Sequence, residues 1–92
     1  MRDEKFEWDD DKARSNWTKH RVTFEEARAV FVDPYRIEVL DEDPHEERLN
    51  TTGLANGTCL IVTSTERNQR TRIISARKAN RHEQAEYFQA LG

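Results

Sequence analysis

The sequence predicts an α+β fold with two N-terminal helices, a four-stranded antiparallel sheet and a C-terminal helix. Three observations predict it. Helix-start signals stand at Asp9 and Thr23, the apolar pattern changes from helical to alternating after Pro34, and Asn56-Gly57 separates two alternating runs as a tight hairpin does.

The first helix starts in Trp8-Asp9-Asp10-Asp11-Lys12, where an Asp side chain accepts from free backbone N–H groups and further acids favour the positive end of the dipole. It is expected to run to about His20. Thr23-Phe24-Glu25-Glu26 is a capping box, with Val22 placed to staple onto Ala27, and Phe24, Ala27, Val30 and Phe31 fall on one face of the helix that follows. Asp33-Pro34 stops it, because a residue before proline avoids the helical region. Tyr35 to Leu40 alternates as a strand up to the acidic turn at Asp41 to Glu46. Asn56-Gly57 then joins strands Arg48 to Leu54 and Thr58 to Glu66, since both turn positions accept positive φ. Asn68-Gln69 lies in the turn before Thr71 to Lys78, and Asn80 caps a last helix carrying Tyr87, Phe88 and Leu91.

A chain of 92 residues supports one domain with a modest core. Its 35% hydrophobic and 36% charged residues make a polar balance, but the aromatic residues are spread through patterned segments, which argues for folding. The net charge of −3 gives no global field that draws the chain to nucleic acid. The sign is uneven, however, and the half from Arg48 onward is net positive. The lone Cys59 sits in an apolar run, as a small buried hydrophobe rather than a disulfide partner. With no apolar run of membrane-spanning length and no signal-peptide pattern, a cytoplasmic protein is expected.

Phe6-Glu7-Trp8-Asp9, Lys19-His20, Thr23-Phe24-Glu25-Glu26-Ala27 and Phe31-Val32-Asp33-Pro34, in that order, resemble the N-terminal half of BrnT family toxins. Glu47-Arg48, Gly53, Thr65-Glu66-Arg67 and the run from Arg72 to Ala79 resemble the same family's sheet and last strand. The resemblance implies a RelE-like fold, metal-independent cleavage of messenger RNA with no cofactor, and a BrnA-like antitoxin that neutralises the toxin and carries it to operator DNA. Two departures stand out: Arg21 occupies a position where the family places glycine, and the last helix is mixed in charge where the family's is arginine-rich.

Metal-free cleavage turns RNA's own 2′-hydroxyl on its phosphate, so it needs a base, an acid and stabilisation of the charge that develops on phosphorus. Arginine forks suit the last role. Pairing through the two hairpins sets Arg48 opposite Thr65 and Thr65 opposite Arg72, with Arg67 at the strand end, so three guanidiniums are expected to converge without a buried counter-ion. Arg48, Arg72 and Lys78 are expected to bind RNA, and Arg67 and Arg77 to act in catalysis. Arg77 and Lys78 occupy opposite faces of the last strand, and Arg77 matches the family motif. Glu47 and His20 are rival candidates for the base. The bland alternative, solvated arginines at a sheet edge, suits the same spacing. His20, His45 and His82 lie in separate segments without zinc-ligand spacing, so no metal site is expected. Trp8 and Trp17 are expected in the core. A positive sheet face is where an antitoxin is expected to dock. The alternative function is an inactive binding module that pairs with an antitoxin as a co-repressor.

Overall fold

Strands and short helices share the chain in the computed structural model, which describes residues 1–92. In chain order the elements are β1 (Phe6–Glu7), α1 (Asp10–His20), α2 (Phe24–Ala27), a 3-10 segment (Arg28–Val32), β2 (Ile37–Glu42), β3 (Glu47–Ala55), β4 (Thr58–Arg67), β5 (Arg70–Lys78) and α3 (Arg81–Leu91). No helix is long and apolar enough to cross a membrane.

The expectation of a four-stranded antiparallel sheet is corrected by β1. Phe6 and Glu7 pair in parallel with Thr71 and Arg72, giving a five-stranded mixed sheet in the order β1-β5-β4-β3-β2. Two residues are too few for a periodic signal, and packing sets their register instead. Phe6 meets Phe31 at 5.6 Å between ring centroids and Trp8 meets Phe24 at 5.7 Å, which turns the intervening Glu7 to the other face. The second of the two expected N-terminal helices is also corrected: only one turn is α-helical before it tightens to a 3-10 segment. The tighter winding aligns residues three apart, and Ala27 and Val30 are both fully buried.

The capping residues act as the sequence implies. Asp9 accepts from the amides of Asp11 and Lys12, and reciprocal boxes close around Thr23 with Glu26 and around Asn80 with Glu83. Arg21 ends α1 in the left-handed region at φ 56°, which explains the glycine of the family pattern: glycine adopts this conformation freely, whereas a side chain costs about 1–2 kcal/mol. Its guanidinium lies 5.3 Å from the Trp17 ring centre. Trp17 is therefore half-exposed rather than in the core, while Trp8 is buried. Both hairpin turns take positive φ, at Asn56 and Gly57 and again at Asn68 and Gln69. Strand β2 starts at Ile37, two residues later than its pattern suggests. Asp33 explains the delay, because its carboxylate accepts the Tyr35 amide and its carbonyl accepts the Arg36 amide, holding both residues in a turn.

One face of the sheet, the inner face, carries the main core of Trp8, Phe24, Val30, Val62 and Ile73 under α1 and α2. Buried Asn16 of α1 closes the edge of β5 beyond β1: its side-chain amide donates to the Ala76 carbonyl at 2.8 Å and accepts the Ala76 amide at 3.0 Å, as a neighbouring strand would. On the outer face α3 is anchored by buried Tyr87, packed with Cys59 and Ala79. The Tyr87 hydroxyl donates to Asp33 Oδ2, which also accepts the Leu54 amide at 2.9 Å. Gly53 permits this approach, since a Cβ there would lie 3.1 Å from Val30 Cβ and 3.2 Å from Asp33 Oδ2. Burial pushes the Asp33 carboxyl up, but the hydrogen bonds from Tyr87, Leu54 and Tyr35 outweigh it and hold it below the usual range. Burial, reinforced by Asp33, raises the Tyr87 phenol to about 12.

Candidate nucleic-acid interface

Strand alternation places Val39, Asn50, Thr52, Thr63, Ser75 and Arg77 together on the outer face, where they line a groove of about 380 Å³ bordered by Glu83 and Glu86 of α3. Its floor is rich in hydroxyl and amide groups; Thr63 donates to Asn50 Oδ1 at 2.7 Å. Such groups suit the sugars and base edges of a single strand.

Arginines stand at both ends of this face. At the α3 end, Arg77 grips Glu83 through two parallel bonds of 2.8 Å. At the other end a row crosses the sheet: Asp41 pairs in register with Arg48, Thr65 with Arg72, and Arg72 with Glu7. Continuing the Leu49 to Ser64 register by one residue sets Arg48 beside Thr65, as the sequence implies. At the hairpin tip Arg67 lies directly opposite Arg70. Sequence reasoning passed over Arg70, although the two-residue turn at Asn68-Gln69 fixes that pairing.

The expectation that three guanidiniums converge without counter-ions is corrected. The side chain of Glu7 is 5% exposed and lies 3.5 Å from Arg72 and 3.6 Å from Arg2. Arg48 pairs with Glu46 at 3.1 Å and Asp43 at 3.9 Å. Only Arg67 of this set is exposed and outside any ion pair. Glu7 escaped notice because its burial depends on β1, which a two-residue strand does not announce. Arg77 lies four residues along the sheet from the Thr65 row, about 13 Å at the usual strand rise, so it does not share one phosphate with Arg72.

The remaining sequence-derived candidates lie elsewhere. Glu47 lines a cavity on the inner face with Leu40, Leu49 and Glu66, and Arg48 and Thr65 of the row border the same cavity. His20 is exposed at the end of α1, which packs on the inner face. Neither joins the outer groove. Lys78 ends β5 exposed, in register with inner-face Leu60 and on the face opposite Arg77. His82 of α3 lies 2.8 Å from Glu86, and no three His, Cys, Asp or Glu side chains gather around one point.

The Arg77 bonds, with the Asn80 amide, lower Glu83 from 4.5 to about 2. A carboxyl whose pKa is lower in the folded state contributes stability above its unfolded value, and this is lost as pH falls through its folded value. Glu83→Gln preserves the helix cap and is expected to cost about 1 kcal/mol at pH 7, discounted because Arg77 is partly solvated. The gap between the two proteins should close as pH falls from 4.5 to about 2. Urea unfolding across that range tests this, and a gap as wide at the acid end as at neutrality would refute it.

Residues 8–83 match a family model described as the ribonuclease toxin BrnT of type II toxin-antitoxin systems. A comparison with curated proteins gives no match.

Proposed function

Because this chain belongs to the BrnT family of ribonuclease toxins of type II toxin-antitoxin systems, we propose that it cuts messenger RNA without a metal ion on its outer sheet face and is neutralised by a BrnA-like antitoxin. The observation that carries this reading is the register of Arg67 opposite Arg70. Arg70 turns its Nε to the Asp3 carbonyl at 2.7 Å, so Arg67 is left exposed and outside any ion pair, and a phosphate supplies the counter-ion it lacks.

In this reading Arg48, Arg67 and Arg72 surround the scissile phosphate, while the groove and Arg77 hold adjoining nucleotides. The RNA 2′-oxygen attacks phosphorus as its proton passes to a base. The bond to the 5′-oxygen breaks, leaving a 2′,3′-cyclic phosphate and a 5′-hydroxyl that takes up a proton. We assign the base to Asp41, which lies in the same row as Arg48 and borders the groove without an ion-pair partner.

Since the nucleophile belongs to the RNA, cleavage by antitoxin-free toxin is expected to be unchanged in EDTA and to yield cyclic phosphate ends. Loss of activity in EDTA with recovery on adding a divalent ion would overturn the metal-free mechanism. The inactive co-repressor is the second reading, favoured by the ion pairs that already neutralise Arg48, Arg72 and Arg77. Intact RNA after prolonged incubation with antitoxin-free toxin would select it.

A further inference from the structure

The two edges of the sheet are treated differently. On the β5 side, β1 and the Asn16 amide occupy the edge, but β2 ends the sheet and its outer backbone groups face no other strand. Natural proteins shield such an edge or use it to pair with another chain.

The side chains along this edge select a partner. Val39 is 57% and Leu40 66% exposed, one on each face of the strand. Beneath the edge on the inner face is a cavity of about 800 Å³ lined by Phe31, Leu40 and Leu49 and by four glutamates, Glu38, Glu46, Glu47 and Glu66, against two arginines, Arg36 and Arg48, which leaves carboxylates in excess. Glu38 is paired with Arg36, but Glu42, Glu47 and Glu66 belong to no ion pair. The apolar side chains favour burial against a partner, and the carboxylates repel both RNA and a second copy of the same edge.

We propose that the free edge of β2 and the acidic cavity beneath it form the docking surface for a basic, extended segment of the antitoxin. This rests on the reading of the chain as a toxin with an antitoxin partner. The segment adds a sixth strand beside β2, with an apolar side chain next to Leu40 and Lys or Arg next to Glu38 and Glu42. A strand there also abuts Asp41 on the outer face, so inhibition does not require covering the arginines, and the positive sheet face is not the dock.

Titration of the full-length toxin with its full-length antitoxin tests the surface. Leu40→Arg with Glu42→Arg is expected to weaken binding by about tenfold or more, because both residues are exposed and the changes bring positive charge against a basic segment. RNA cleavage by this variant should match that of the original chain. Trp17→Arg, on α1 beside β5 towards the other edge of the sheet, should leave affinity unchanged. Hydrogen exchange provides a measurement independent of the variants: the β2 amides should gain protection when antitoxin binds. Unchanged affinity in the folded double variant, or β2 amides that stay unprotected in the complex, would overturn the proposal. So would β2 protection in the toxin alone accompanied by dimer formation, which would make a second copy the occupant. A toxin that binds antitoxin through β2 yet cuts no RNA would refute the ribonuclease reading and support this surface.

Discussion

Arg67→Ala is expected to lower RNA cleavage on the order of 100-fold, the usual loss when one preorganised donor to a developing oxyanion is removed. The same change should leave stability within about 0.5 kcal/mol, because Arg67 is exposed and engaged in no ion pair. Few substitutions separate function from folding so cleanly. Arg48, Arg72 and Arg77 each have a carboxylate partner, so their removal disturbs a neighbour as well as any substrate. Cleavage rates and denaturation curves on the same preparation decide the matter: undiminished cutting by folded Arg67→Ala would remove this residue from the site.

Asp33→Ala is expected to be the most damaging single change to stability, at about 2–4 kcal/mol. It strips the acceptor from the buried Tyr87 hydroxyl and the Leu54 amide, and an orphaned buried donor costs roughly 1–3 kcal/mol. Against a total of about 5–15 kcal/mol that is a large share. Tyr87→Phe should cost less, since Asp33 retains its bonds from Leu54 and Tyr35. Chemical denaturation of both variants checks the ranking. A loss below about 1 kcal/mol for Asp33→Ala would mean that α3 is anchored by packing alone.

Local signals reveal much of this fold. Caps at Asp9, Thr23 and Asn80 and turns at Asn56-Gly57 and Asn68-Gln69 are decided within a few residues, so the helix starts and hairpins are legible in the sequence. The pairing of Thr65 with Arg72 follows from the turn between them. Long-range pairings are different. The docking of β1 on β5, Asn16 on Ala76 and Tyr87 on Asp33 joins residues more than fifty positions apart, and no local pattern marks either partner. The surroundings of the site are less legible for the same reason. Glu7 reaches Arg72 only because β1 is in the sheet, whereas strand alternation alone already turns Glu47 away from Arg48.

The parallel pairing of β1 with β5 also sets an order of events during synthesis. Phe6 and Glu7 leave the ribosome early, but their partners Thr71 and Arg72 are translated more than sixty residues later. Until then Glu7 has no Arg72 beside it, and the arginine row does not exist. A contact of such long sequence separation is slow to form and is paid for in chain entropy. The row that links Arg72 to Glu7 is therefore assembled only after β5 has left the ribosome.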